Sequence, residues 1–299
     1  MELKQLEYFM ILCEELNFTR AAERIGIAQP SLSQQIRLLE HEVGTPLFDR
    51  VGKKNFITEA GKALLHHSYN VFHELSQARA AISELEGLER GELKVGALLT
   101  AVNYLLPPAV IGFHDNYPNV ELSILGLRTS DIYNKLLQNE LDLGVVFLQK
   151  NFDELESIPL LKEDLAVAAP INHPIANKSF VTLDILKKVP AILLPNTYFI
   201  RQLIDETCQS LNFTPEPVME MTTMESIINM VSNGVGITIL PKAYLNYINN
   251  SKIQIIPLKD PVLTTEIGIV YRKNKYLCAA SSVFIDQLVT KIKKAELPD

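Results

Sequence analysis

Phe18-Thr19-Arg20-Ala21-Ala22-Glu23-Arg24-Ile25-Gly26-Ile27-Ala28-Gln29-Pro30-Ser31-Leu32-Ser33-Gln34-Gln35-Ile36-Arg37-Leu38-Leu39-Glu40 decides the fold. Thr19 offers a capping hydroxyl to a short helical segment, Arg20–Ile25, whose paired alanines permit close approach of a neighbouring helix. Gly26 ends it, because a left-handed residue costs glycine least. A second helix opens at Gln29-Pro30, where the missing proline N–H is harmless. It has two faces: Leu32, Ile36 and Leu39 make an apolar stripe, while Pro30, Ser33, Gln34 and Arg37 make a polar one.

Working outward, Leu3, Leu6, Phe9, Met10, Cys13 and Leu16 recur at three- and four-residue intervals and predict a preceding helix with one apolar face. Short helix, glycine turn and a helix with an amide-and-hydroxyl face suit a reader of the major groove, where base edges are recognised by hydrogen bonds. Gln34 and Gln35 match adenine; Arg37 matches guanine or a phosphate. The same spacing also describes a three-helix bundle whose polar face meets only water. After Glu40, the run Val43 to Thr58 predicts two short strands joined at Gly52-Lys53-Lys54, a wing with a basic tip or simply a solvated basic turn. Charge does not choose between them. The chain carries a formal net charge of −7, and residues 1–65 hold 8 basic and 9 acidic side chains.

Thr58 is placed to cap a proline-free helix running to about Leu88. Ala60, Ala63, Leu64, Val71, Leu75, Ala78, Ile82 and Leu85 fall mostly three and four apart and would form a coiled-coil seam. At 1.5 Å per residue such a helix spans ~45 Å, too long to bury its seam on a small winged domain. A homodimer is expected; packing on the rest of its own chain is the alternative.

Gly87 and Gly91 flank a polar break that reads as a hinge. Beyond it, Leu93–Ala97, Val120–Gly126, Leu143–Phe147, Leu165–Ala169, Ala191–Leu194, Ile237–Leu240 and Glu266–Tyr271 read as short buried strands between helical stretches such as Ala101–His114 and Asp131–Asn139. That alternation predicts a mostly parallel sheet flanked by helices. Ligands of such sheets lie beyond the carboxyl ends of the strands, at helix N-termini. Thr100, Thr129, Ser130, Tyr198, Arg201, Thr222 and Thr223 fall there, with Phe147 as a possible wall or a core residue. Hydroxyls, helix ends and one arginine describe a site for a small anion or carboxylate. For Thr129, Ser130 and Thr223 plain helix capping is the competing role.

The run Phe18–Arg24, Gln29–Glu40, Gly44-Thr45-Pro46-Leu47-Phe48-Asp49-Arg50 and Thr58-Glu59-Ala60-Gly61 resembles the winged helix-turn-helix of LysR-type transcriptional regulators. The likeness extends, more weakly, through Glu140–Gly144 and Gly234–Pro241 over the whole chain. It implies an α/β protein with an N-terminal winged helix-turn-helix, a long linker helix and a C-terminal two-lobed domain like a periplasmic binding protein. The parts would be residues 1–58, 59–91 and 92–299, with lobe I over 92–162 and 267–299 and lobe II over 163–266. Gln29, Pro30, Ser31, Ser33, Gln34 and Arg37 would face double-stranded DNA, with Arg50 and Lys53 at the wing. A homodimer or homotetramer that binds operator DNA and a small effector is the implied assembly. One departure is Ala28, where the family often carries Ser or Thr. Glu140–Phe147, Leu155–Leu161 and His173-Pro174 look most like the subgroup containing the cyanate-operon regulator, which would make cyanate or a small metabolic carboxylate the effector.

Other chemistries find no support. Gly234-Val235-Gly236 lacks the third glycine of a dinucleotide fingerprint, and there is no phosphate loop and no Gly-x-Ser-x-Gly turn. Cofactor, catalytic residues and metal are therefore not expected. His66, His67 and His73 read as solvated. Cys13, Cys208 and Cys278 have no ligand or redox spacing, with a redox role for Cys208 the lesser alternative. No segment approaches the ~20 apolar residues of a membrane span, and no secretory signal opens the chain, so a cytoplasmic protein is expected. A solute-binding protein for transport lacks its export signal, and an α/β enzyme lacks a clustered acid, base or nucleophile.

Overall fold

Asn17, rather than Thr19, caps the second helix: its side chain accepts from the backbone N–H of Thr19 and Arg20 at 2.9 and 3.2 Å. The helix consequently starts one residue before Thr19, at Phe18. The structure, a computed structural model, describes residues 1–51, 54–84, 91–149, 153–273 and 277–296, less a few side chains within them. Lys53 lies outside the described residues, as does the side chain of Arg50. The chain divides into two compact units, Met1–Ile82 with Gln138–Glu140, and Ser83–Leu137 with Leu141–Asp299.

The first unit runs α1 (Leu3–Glu15), α2 (Phe18–Ile25), α3 (Gln29–Val43), β1 (Phe48–Val51), β2 (Lys54–Ile57) and α4 (Glu59–Glu84). Its core is Leu6, Phe9 and Leu12 of α1, Ala21 and Ala22 of α2, and Leu32, Ile36 and Leu39 of α3, joined by Leu47 and Phe48. The apolar face of α1 thus sits on Leu12, while Leu3 and Leu16, at the helix ends, are exposed. Phe48 packs on Phe9 and Phe18, with ring centroids 5.5 and 6.3 Å apart. Gly26 ends α2 at φ +80°, the left-handed conformation that glycine adopts without steric cost.

Strands β1 and β2 pair antiparallel. Glu40 fastens this wing to α3 by accepting the backbone N–H of Leu47 at 2.9 Å. Thr58 caps α4 as the sequence predicts, accepting from Gly61 N at 3.0 Å while donating to Pro46 O at 2.9 Å. Gly61 has no substitute there, because a Cβ would stand 2.4 Å from the Leu47 carbonyl oxygen. On α4, Val71 and Ile82 are exposed. His73 is buried, unlike its exposed neighbours His66 and His67, so the expectation of three solvated histidines fails at one.

The second unit contains β3 (Gly91–Leu98), α5 (Leu99–Tyr104), α6 (Pro107–Asn116), β4 (Val120–Leu127), α7 (Thr129–Leu137), β5 (Leu143–Phe147) and β6 (Leu155–Pro170). A 3-10 turn at Leu183–Lys187 precedes β7 (Ile192–Leu193), α8 (Phe199–Ser210), β8 (Met219–Glu220), α9 (Met224–Ser232), β9 (Thr238–Pro241) and α10 (Lys242–Ile248). The chain closes with β10 (Ile253–Pro257), β11 (Thr264–Arg272) and α11 (Ala279–Glu296). The expected single helix Ala101–His114 is two, because Pro107 and Pro108 cannot continue a helix.

Strand β3 pairs in parallel with β4 and β5, and β7 with β8. All pairings of β6 and β11 are antiparallel, so the sheet is mixed rather than mostly parallel. The cause is the route of the chain: β6 carries it out of the first lobe, and β11, on its way back, runs against both β5 and β6. The near half of β6 pairs with β11; its far half lies between β9 and β10 in the second lobe. Each lobe holds its own apolar centre, Ile132, Leu136, Val146 and Val270 in one and Val167, Ile192, Ile239 and Leu245 in the other.

Candidate functional site

Two surfaces bring the singled-out residues together. On α3, the core stripe fixes the opposite face outward: Gln29, Pro30, Ser31, Gln34 and Arg37 are exposed and Ser33 half-buried. Gln29 Nε2 donates to Ser33 Oγ at 2.8 Å, which pre-aligns two of these polar groups. Arg37 has no ion-pair partner among the described residues. The other helix arginines differ: Arg20 pairs with Glu15 at 2.7 Å and Arg24 with Glu14 at 2.6 Å, so their charge is spent locally on α1. Gln35 turns inward, accepting from Gln5 Nε2 at 3.3 Å, and does not belong with Gln34. Ala28 leaves α3 without a side-chain cap.

The second surface is a cleft of about 420 Å³ between the two lobes of the second unit. Thr100, Thr129, Ser130, Phe147, Tyr198, Thr222 and Thr223 all line it. They converge because α7, α8 and α9 each begin at its edge, and the first turn of a helix presents backbone N–H groups without helical partners. Thr223 does cap α9, accepting from Ser226 N at 3.2 Å, so one hydroxyl is already engaged. Phe147 stacks on Phe199 across the cleft, centroids 5.2 Å apart and planes at 22°.

Arg201 does not line the cleft. Its buried guanidinium donates to Asp205 at 2.8 Å, to Glu220 at 2.7 Å and to the Leu194 carbonyl at 2.9 Å, and these carboxylates hold it above the usual guanidinium range against the opposing effect of burial. Its sequence position, one turn into α8, looks suited to an anion, but i,i+4 pairing with Asp205 satisfies it within the protein.

Sequence reading passed over Arg128, Asn103, Gln149, Thr197 and Gln202, which also line the cleft. Arg128 grips Asp131 with two bonds of 2.9 and 3.3 Å. With Arg128 so paired, no unpaired cation stands among the described lining residues, and Glu225 adds a negative charge. Helix dipoles, backbone N–H groups, hydroxyls and side-chain amides favour an electron-rich head group, while Leu98, Leu127, Leu194, Tyr198, Phe199 and Met224 offer apolar surface. Burial pushes the Cys208 thiol up to about 11, away from the thiolate that redox chemistry requires. Among the described residues there is no cluster of metal-binding side chains and no helix long and apolar enough to cross a membrane.

The geometry agrees with comparison to known proteins. Residues 3–62 match the model of the bacterial regulatory helix-turn-helix proteins of the lysR family, and residues 86–293 match the LysR substrate binding domain. The chain is 30% identical over 290 residues to YybE, an uncharacterized HTH-type transcriptional regulator of Bacillus subtilis, covering 97% of this chain and 99% of that one. It is 28% identical over 297 residues to the transcriptional dual regulator GltC of the same organism, covering 99% of each. Full-length OxyR from Pseudomonas aeruginosa superposes with a TM-score of 0.74 at 27% identity, over 97% of this chain and 98% of that one. CbnR, solved with its target DNA, shares the fold at TM-score 0.70 and 22% identity, over 98% of this chain and all of that one. With a helix-turn-helix at one end and a two-lobed effector domain at the other, the chain belongs to the LysR family of DNA-binding transcriptional regulators.

Proposed function

We propose that α3 enters the major groove of operator DNA, with Gln29, Pro30, Ser31, Ser33, Gln34 and Arg37 facing bases and backbone and with Arg50 and Lys53 of the wing against phosphates. The observation that carries this is the exposed, uncompensated polar face of α3 backed by a fully buried Leu32, Ile36 and Leu39. A bidentate contact to a base edge discriminates by ~1–3 kcal/mol. Two recognition helices in a homodimer, joined along α4, would read two half-sites; exposed Val71 and Ile82 are the side chains such a joint would cover. Two such dimers, paired through further surfaces, would make the homotetramer.

The cleft is proposed to hold the effector through Thr100, Thr129, Ser130, Tyr198, Thr222 and Thr223, with Phe147 as a wall. Its size favours a metabolite with an acceptor-rich head, such as a carboxylate, and an apolar body. A three-atom anion such as cyanate displaces on the order of 50 Å³, not much above the ~30 Å³ share of a water. It would leave most of the cleft unfilled.

Duplexes selected from a random pool by the purified full-length protein, followed by fluorescence anisotropy, test the DNA assignment. Arg37→Ala and Gln34→Ala should each weaken the selected duplex ten-fold or more and leave a scrambled one nearly unchanged, whereas Ser130→Ala should bind like wild type. Equal binding of every duplex by all variants would refute the recognition face. A thermal-shift screen of small carboxylates tests the cleft, and hits should lose their shift in Ser130→Ala and Thr222→Ala.

A further inference from the structure

The two lobes are also joined where β6 and β11 cross from one to the other. Glu163 lies at that crossing: it stands opposite Thr265 in the β6–β11 ladder, one residue before Asp164 and two before Leu165, whose N–H bonds Leu263 O at 2.8 Å where the far half of β6 begins. The carboxyl is buried and faces Tyr104, the last residue of α5, whose hydroxyl stands 3.5 and 3.4 Å from its two oxygens. Tyr104 in turn lies against Tyr244 and Tyr247 of α10, in the other lobe, at 6.4 and 5.8 Å between centroids. Leu99, Thr100, Val102 and Asn103 of α5 line the cleft, and so does Tyr244.

We infer that the Glu163 carboxyl, buried where the strands cross, is a proton-operated latch between the lobes, closed while it is neutral and loosened when it ionises and draws water between β6 and β11. The Tyr104 hydroxyl is the neighbour that partly offsets the burial by favouring the ionised form. An ionised carboxylate seeks a charge-assisted phenol bond of about 2.6 Å or water. Either requires Tyr104 to shift against α10 or the crossing strands to part. Among the described residues, no cation pairs with it. Its own strand supplies Lys162 and Asp164 on the alternate face, with Asp164 bonded to Thr264 at 2.9 Å. From β11 comes Glu266, from α5 Tyr104, and from α10 Lys242, Tyr244 and Tyr247; the other helices on β6 carry Glu225 (α9) and Asp286 and Lys291 (α11). Burial pushes the Glu163 carboxyl up to about 7, and the Tyr104 hydroxyl opposes this only in part. A carboxyl raised on folding contributes stability that is full below its unfolded value and lost as pH rises through the folded one. The latch therefore weakens across neutral pH.

Its regulatory consequence, a cleft that opens more readily above pH 7, rests on the effector reading; the latch itself does not. Hydrogen–deuterium exchange of the full-length protein from pH 6.0 to 8.5, with times scaled to the intrinsic rate, tests it without ligand or DNA. A cleft that binds nothing would leave this measurement unchanged. Protection of residues 161–166 and 263–267 should fall several-fold with a midpoint near 7 in the wild type and stay high throughout in Glu163→Gln. Tyr104→Phe, which removes the hydroxyl that favours ionisation, should move the midpoint to higher pH, and it decides the matter if Glu163→Gln does not fold. Flat wild-type protection, the same fall in Glu163→Gln, or an unmoved midpoint in Tyr104→Phe would overturn the latch.

Discussion

Arg201 ties the first turn of α8 to β7 and β8, since its three acceptors lie at Leu194, Asp205 and Glu220. Removing one member of a buried ion pair commonly costs ~3–5 kcal/mol. Glu220 is half in water, with 46% of its side chain exposed, so Arg201→Met should cost less, about 2 kcal/mol by urea unfolding. Arg201→Lys should recover part of it. Were Arg201 instead an effector ligand, Arg201→Met would leave stability unchanged and abolish the ligand shift alone. Gly61→Ala gives a second test, because its Cβ meets the fixed Leu47 carbonyl at 2.4 Å; a loss of roughly 1–3 kcal/mol is expected from such overpacking. Neither role is written in sequence. Arg201 and a true anion ligand occupy the same place in the helix, and only the folded positions of Asp205 and Glu220 separate them.

Helix α3 begins at Ala28 with an extended N-cap backbone, φ −70° and ψ 138°, and no capping side chain. Ala28→Ser should therefore stabilise the first unit by about 1 kcal/mol, and Asn17→Ala, which strips the cap from α2, should destabilise it by a similar amount. Urea midpoints of the full chain measure both, and no change in either would mean that the helix ends are satisfied by other means. Periodicity made these helices legible, because Leu32, Ile36 and Leu39 admit one buried face. It failed where the local signal is shared: Thr19 and Asn17 are both capping residues, and Pro107-Pro108 interrupts an apolar run that otherwise reads as one helix. Among strands, Leu143–Phe147 was legible from its continuous apolar run, as buried parallel strands are. Ile253–Pro257 and the polar near half of β6 were not, since a strand at a sheet edge needs neither full burial nor strict alternation. Pro159 is tolerated in β6 for the same reason.

At the scale of the molecule, the cleft is assembled from residues as distant as Thr100 and Tyr244, and its volume follows from how two lobes are hung on β6 and β11 rather than from any motif. Six cleft-lining candidates were legible because strand–helix junctions announce them one by one, and Phe147 only as a wall or core residue; that no described lining residue is an unpaired cation was not legible, since it depends on Arg128 meeting Asp131 and Arg201 turning away. A ligand that seats between the lobes must bind the folded second unit and not its unfolded chain. At a hundred times its dissociation constant it should stabilise that unit by about 2.7 kcal/mol. For a unit of this size each kcal/mol moves the melting temperature by ~2–4 °C, so a true effector should raise the second unit's transition by roughly 5–10 °C and leave that of the first unit in place. Phe199→Ala, which removes one ring of the Phe147 stack spanning the cleft, should reduce the shift at equal ligand concentration. Differential scanning calorimetry reads both transitions in one trace. A ligand that raised the two equally, or whose shift survived Phe199→Ala, Ser130→Ala and Thr222→Ala together, would bind elsewhere than between the lobes.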